Sequence, residues 1–219
     1  MNVVFCLPGK EYSGAFLKSW SQLLGACVNQ GINTIIYQHY SPIIYYARNI
    51  CLGGELKNGI HQKPFQGEVD YDYIMWIDSD IVFNPSHFFK LLSADKDIVS
   101  GVYKMHNNFL YTVSENWDED YFQKYSTYEF MTKKTLSDKK GLFKAAFVGF
   151  GWTLFKKGVF ESLEFPWFKP IWKEWNHNGV TIKDIMSEDI SICYELNQKG
   201  YDIWVDPEVI VGHEKPMIL

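Results

Sequence analysis

Short unbroken apolar runs alternate, along the first half of the chain, with apolar residues at helical spacing. Residues 3–7 form the first run, which reads as a strand broken by Pro8-Gly9. Ser13-Gly14 opens a helix in which Phe16, Trp20, Leu23, Leu24, Cys27 and Val28 recur at helical spacing. Gly31 ends that helix, and residues 34–37 form a second strand. Ser41-Pro42 starts a helix that runs through Arg48 to about residue 52, where Gly53-Gly54 stops it. Residues 73–77 read Tyr-Ile-Met-Trp-Ile, a run suited to a strand buried on both faces. Asn84-Pro85 supplies a good N-cap and first position for a third helix, and residues 97–102 form another strand. The β-α-β-α-β-α-β order predicts an α/β, Rossmann-like domain with a mostly parallel central sheet flanked by helices.

Beyond residue 106 the pattern weakens. Residues 107–142 mix charges and aromatics with little periodicity and read as loops and short strands around a site. Residues 145–155 are apolar but broken by Gly149 and Gly151. Ser187 opens a last helix to about residue 199, closed by Gly200. Strands at 201–205 and 209–211 follow, the second ending at Gly212-His213. The 219 residues suffice for one domain with a full core, and no repeat or low-complexity linker divides them.

Composition narrows the function classes. A formal net charge of -5 and no long basic run argue against nucleic acid as the main partner. A hydrophobic content of 47% excludes disorder. Eight Trp and fourteen Tyr exceed what a core of this size needs; their faces stack well on sugar rings, although an aromatic-rich core accounts for them equally. Cys6, Cys27, Cys51 and Cys193 are widely spaced without a CxxC, which points to reduced thiols rather than zinc or disulfides. Met1-Asn2 lacks a basic start and the run at 3–7 is too short for a signal peptide. No segment approaches the ~20 apolar residues of a membrane span. A cytoplasmic location is expected. The apolar end Met217-Ile218-Leu219 implies either a docked terminus or further domains C-terminal to it.

The candidate chemistry centres on Asp78-Ser79-Asp80, which closes the 73–77 run. Two carboxylates one residue apart at a strand end are costly unless something uses them. They fall on a strand-to-helix turn, where open α/β sheets bind ligands. Oxygen ligands suit a hard cation such as Mg²⁺ or Mn²⁺, and that cation suits a diphosphate. The bland alternative is a solvated turn. Arg48 offers a guanidinium that either forks to a phosphate or stacks on a base, or sits exposed in a salt bridge. Glu188 and Asp189 are either first-turn acids favoured by the helix dipole, or a catalytic pair in which a carboxylate tuned upward takes a proton. Gly149 and Gly151 would let backbone approach a ligand closely. Trp152, Trp172 and Trp175 are candidates for stacking on an acceptor sugar, or for the core. Tyr103 and Lys104 follow the 97–102 strand and would face the donor sugar.

The run Tyr-Ile-Met-Trp-Ile-Asp-Ser-Asp-Ile-Val-Phe-Asn-Pro at 73–85 resembles the DxD segment of GT-A glycosyltransferases, which use nucleotide sugars. Ala47-Arg48-Asn49, the stretch Gly-Phe-Gly-Trp-Thr-Leu-Phe from Gly149, Ser187-Glu188-Asp189 and Val211-Gly212-His213 occur in the order that group shows. The likeness spans residues 3–213 and is weakest between 107 and 142. Small stand-alone forms of this kind occur in bacteria and large DNA viruses, which would place a viral member in the host cytoplasm. The resemblance implies one GT-A domain, with residues 1–105 binding the nucleotide sugar and residues 106–219 the acceptor. It implies a UDP-linked donor, Mn²⁺ or Mg²⁺, and a glycan hydroxyl as acceptor. Asp80 would bind the metal directly, Asp78 through water or on the donor, and His213 as a third ligand, with Ser79 at the donor between the acids. Pro8 and Gly9 would hold the base, with Tyr12 and Ser13 stacking on or bonding to a uracil; Arg48 would serve the donor. Asp189 would be the catalytic base in an inverting reaction and Glu188 would bind acceptor, beside Gly149, Gly151, Trp152 and Trp172.

Two other readings fit parts of the pattern. Apolar residues before D-x-D-x-V also match the nucleophile motif of haloacid-dehalogenase-like phosphatases, with Asp78 attacking phosphate and Asp80 as acid-base. That motif normally lies on the first strand, whereas two β-α units precede it here. A non-catalytic sugar-nucleotide-binding domain is the third reading.

Overall fold

The computed structural model describes residues 1–106 and 109–215. In the first half the elements are β1 (Asn2–Pro8), α1 (Gly14–Asn29), β2 (Asn33–His39), α2 (Ile44–Cys51), β3 (Tyr73–Ile77), β4 (Ile81–Val82), α3 (Pro85–Ser93) and β5 (Ile98–Val102). Ser13 caps α1 by accepting from the Phe16 amide at 3.0 Å, and Phe16, Leu23 and Cys27 bury the face that the spacing predicts. Asn84 is extended at the N-cap of α3, with Pro85 inside its first turn. Helix α2 starts at Ile44 behind Ile43, slightly later than Ser41-Pro42 suggests.

In the second half come β6 (Val113–Ser114), α4 (Glu119–Tyr125), α5 (Lys133–Ser137), β7 (Phe143–Ala145), β8 (Phe147–Val148) and β9 (Trp152–Lys156). They are followed by β10 (Trp172–His177), β11 (Val180–Ile185), α6 (Glu188–Gln198), β12 (Ile203–Ile210) and β13 (Gly212–His213). The region expected to hold only loops and short strands thus contains two short helices. They are capped by Asp118 and Thr132, whose side chains accept from amides three residues on. The strands expected at 201–205 and 209–211 are one strand, β12, with a register shift between Val205 and Ile210. The β10–β11 hairpin was not foreseen, although Asn178-Gly179 is its signal. Both residues have positive φ, 52° and +81°, as a tight hairpin turn requires.

The central sheet has seven strands in the order β2-β1-β3-β9-β5-β12-β7. Five of them run the same way; β9 opposes both β3 and β5, and β7 opposes β12. The fold is therefore mixed α/β with a mostly parallel sheet. Periodicity did not reveal that β9 inserts between β3 and β5, because the position of a buried apolar strand in a sheet leaves no local trace. Apolar clusters pack on both faces, one around Trp76, Phe155, Phe160 and Trp167, the other around Phe5, Phe88 and Trp152. Full burial of such a side chain stabilises the fold by about 1.5–3 kcal/mol relative to exposure. All four cysteines are buried and free. Among the described residues no helix is long and apolar enough to cross a membrane.

Candidate active site

Strands β1, β3, β5 and β12 point their carboxyl ends toward one edge of the sheet. Because β9 is antiparallel, its beginning lies there too, with Trp152 opposite Ile77. This topology gathers the Pro8–Ser13 loop, Asp78-Ser79-Asp80, Tyr103-Lys104, Gly149–Trp152 and His213 along one rim, the place where open α/β sheets bind ligands. Two-residue β13 runs antiparallel to β4, with His213 opposite Ile81. Strand β12 itself pairs with β5.

Two acid pairs meet at this rim, and each divides the same way. Arg48 on α2 is almost wholly buried, 2% exposed, among the rings of Trp76, Phe150 and Phe168. Its Nη2 donates to Asp78 Oδ2 at 3.2 Å and its Nε to Glu188 Oε1 at 3.3 Å. Asp78 and Glu188 are thus tied inward by one guanidinium. Burial raises the Asp78 carboxyl above its usual range, and Arg48 opposes that shift. Arg48 is neither an open phosphate fork nor an exposed helix arginine: it is a buried tie between β3, α2 and α6. Losing one partner of such a pair leaves an uncompensated buried charge.

The second acid of each pair faces outward. Asp80 Oδ2 lies 3.1 Å from His213 Nε2 and 2.6 Å from Lys215 Nζ. His213 Nδ1 lies 2.6 Å from the Lys104 carbonyl, which can only accept, so this nitrogen carries a proton. Burial works to raise the Asp80 pKa, but the bonds from His213 and Lys215 outweigh it and hold the carboxyl at about 2. Burial likewise works to lower His213, and Asp80 with the Lys104 carbonyl raise it above its ordinary value.

Asp80 and His213 fit a divalent cation. A backbone carbonyl on one ring nitrogen fixes the imidazole with Nε2 toward the carboxylate, the arrangement common to metal-binding histidines. Asp78 is paired with Arg48 on the other side of the turn. Among the described residues no group of three or more His, Cys, Asp or Glu side chains is gathered to hold a metal ion. Lys215 and Glu214 are functional candidates that the sequence reading missed. The Glu214 amide donates to the Asp80 carbonyl at 2.7 Å, and the Ser13 hydroxyl donates to the Glu214 carboxylate. In extended chain His213 and Lys215 share a face, so the spacing H-x-K was a usable signal.

Asp189 opens into a cavity of about 160 Å³ with Met105, Thr112, Phe130, Phe147 and Ile190 on its walls. Its Oδ1 accepts from the Ser187 hydroxyl and from the Ile190 amide at 2.8 Å. Ser187 therefore serves Asp189 rather than capping α6 with its own side chain. Burial, then the neighbouring Glu188 charge, pushes the Asp189 carboxyl up to about 6.

The remaining predicted residues divide between rim and core. A Cβ on Gly9 would meet Ser79 Cβ at 2.6 Å, so the first loop and the DxD turn touch. The Tyr12 hydroxyl is spent on the Leu7 carbonyl at 2.9 Å. Tyr103 is buried; its ring lies edge-on to His213 at 4.9 Å and its hydroxyl accepts from the Gly151 amide at 3.0 Å. Tyr103 fills the space beside Gly151 and presses on Gly149, so these glycines make room for that ring; Gly149 also borders the Asp189 cavity. Trp152 has no exposed surface and packs against Phe83 at 4.4 Å, which removes it from acceptor stacking. Trp175 packs against Phe122, whereas Trp172 is 71% exposed on β10 and remains accessible. The apolar terminus at 217–219 lies outside the described residues.

Sheet order and flanking helices define a GT-A-like α/β fold. Among solved structures, the chain is similar to the A197 protein from STIV, with a TM-score of 0.52 and 14% identity over 100% of this chain and 97% of that one. It is similar also to GalNAc-T7 crystallised with UDP, GalNAc and Mn²⁺, with a TM-score of 0.52 and 12% identity; 99% of this chain matches 44% of that one. At these identities the likeness speaks for the fold alone. No protein-family model matches the chain, and no curated protein matches it either.

Proposed function

We propose that this protein is a metal-dependent glycosyltransferase that moves a sugar from a UDP-linked donor to a hydroxyl of a glycan acceptor. The observation that carries this reading is the meeting of Asp80 and His213, 133 residues apart, with the imidazole anchored on the Lys104 carbonyl. Asp80 and His213 would hold Mn²⁺ or Mg²⁺, an ion that would neutralise charge on the departing diphosphate. His213 must then release the proton it shares with Asp80, and Lys215 must leave Oδ2. The loop from Pro8 to Ser13, abutting Ser79, would receive the base. Asp78 and Glu188, fixed by Arg48, would set the positions of the turn and of α6 rather than touch the metal. Asp189, raised by burial and by Glu188, would take the proton of the acceptor hydroxyl if configuration inverts, and would only position the acceptor if it is retained.

The phosphatase reading needs a free nucleophile at Asp78, and that carboxylate is ion-paired to a buried arginine. Titration calorimetry tests the transferase reading. UDP should bind at least tenfold tighter with Mn²⁺ or Mg²⁺ than with EDTA, because the cation would link Asp80 and His213 to the diphosphate oxygens. Equal affinity in both buffers would sink the metal clamp, and metal-dependent binding with no turnover of any UDP-sugar would leave a binding domain.

A further inference from the structure

Two cavities share Phe130 as a wall, and their linings differ. The outer one, of about 150 Å³, is bordered by Glu115, Asn116, Glu129, Thr132 and Thr135. The inner one, about 160 Å³, is the cavity at Asp189, where Met105, Phe130, Phe147 and Ile190 present apolar surface. Phe130 and Phe147 meet edge to face at 5.7 Å, which fixes the shape of that inner wall. Thr112 and Ser187 are its hydroxyl-bearing residues. The Ser187 hydroxyl is already given to Asp189, and the Thr112 hydroxyl lies 3.4 Å from the Tyr103 carbonyl. Whole small-molecule ligands occupy roughly 300–1,000 Å³, so the inner cavity takes one group of a substrate and not all of it.

A hydroxyl that enters such a cavity loses water and finds its charged partner at Asp189. A hydroxyl turned toward Met105, Phe130, Phe147 or Ile190 finds an apolar wall. Leaving a polar group unpaired in this way is heavily penalised, while an apolar substituent of the same size is welcome. We propose that the inner cavity is an acceptor subsite for a sugar unit with one apolar edge, of the 6-deoxyhexose class, whose reacting hydroxyl points at Asp189 and whose methyl-bearing edge lies against Phe130 and Phe147. The proposal rests on the transferase reading and adds to it the class of acceptor. The neighbouring cavity, where Glu115, Asn116, Glu129, Thr132 and Thr135 offer polar groups, then receives the remainder of the glycan.

Saturation-transfer NMR on the intact chain tests this, with methyl 6-deoxyhexopyranosides and their matching methyl hexopyranosides as probes, each with and without UDP and Mn²⁺. At least one 6-deoxy glycoside should bind about 10- to 100-fold tighter than its hexoside partner. Phe130→Ala should join the two cavities and bring that ratio below about threefold. Phe130→Leu, which keeps the apolar wall, should preserve it, and circular dichroism confirms that both variants fold. Equal binding, a preference for the hexosides, or binding of neither series overturns the proposal. Calorimetry of UDP with Mn²⁺ on the same samples separates the two claims. Metal-dependent UDP binding without a deoxy preference defeats the acceptor class alone; a deoxy preference without UDP binding defeats the transferase reading and leaves a sugar-binding cavity.

Discussion

Asp78 and Asp80 are two residues apart and do different work, and so do Glu188 and Asp189 side by side. Asp78 and Glu188 grip one buried guanidinium; Asp80 and Asp189 face the open rim. The inner set is held by charge pairing in a poorly solvated place, where a missing partner is expensive. In the outer set Asp80 is held by a half-exposed ion pair that solvent and ions can replace, whereas Asp189 is desolvated and lines a cavity. One element builds the site and the other is free to use it. An acidic motif on such a fold therefore does not by itself say which of its carboxylates handles ligand.

The strongest way to break this contrast is to remove the tie. Arg48→Ala strands two carboxylates at the rim and should cost about 3–5 kcal/mol of stability by urea denaturation. Arg48→Lys, which keeps the charge but not the fork, should cost less. A loss under about 1 kcal/mol for the alanine variant would mean that the inner set is not structural.

Asp189→Asn tests the outer acid of the second pair. An amide cannot accept a proton at neutral pH, so transfer should fall by on the order of 10²-fold or more while UDP binding stays. In the native protein transfer should also fall as pH drops through about 6, because the carboxylate must be ionised to act and its pKa is raised to that value. Glu188→Gln removes the adjacent negative charge, so that acid limb should move to lower pH. Near-normal turnover of the asparagine variant returns Asp189 to the role of a first-turn helix acid.

His213→Ala sharpens the contrast on the first pair. Its ring lies beyond the end of β12, so stability should change by less than about 1 kcal/mol, while Mn²⁺ affinity falls about tenfold or more by calorimetry. Metal-free UDP affinity should barely change. Combined with Asp80→Ala the loss should be far from additive, since both residues would act through one ion. Simple addition of the two losses would mean that His213 does not share a ligand set with Asp80.

The smallest expected effect belongs to Lys215. Its ammonium sits on the Asp80 oxygen that a cation would use. Lys215→Ala should tighten Mn²⁺ binding by no more than about fivefold, the scale of an exposed ion pair. Weaker Mn²⁺ binding in this variant would show that Lys215 supports the cation site instead of competing for it.

The alternation of runs and helical spacing through residue 102 made the parallel half of the sheet legible. Its strands are continuous apolar runs and its helices carry their own caps and stops. The second half was less legible for a physical reason. Two-residue strands such as β6, β8 and β13 are too short for periodicity, and β9 takes its place in the sheet only by pairing with partners more than fifty residues away.

By itself the sequence determined that two aspartates end a buried strand, that a helix opens on two more acids, and that a histidine follows a late strand. These are local facts, set by backbone preference and apolar pattern. Only the tertiary structure decided which acid of each pair turns inward, because that depends on Arg48 arriving from α2 with aromatic rings around it. It alone decided that Trp152 is core while Trp172 is accessible, since burial is set by what packs on a residue and not by its type. The pairing of His213 with Asp80 is likewise a property of the closed sheet: β12 lies against β5, and β13 returns beside β4 to bring the imidazole to the turn.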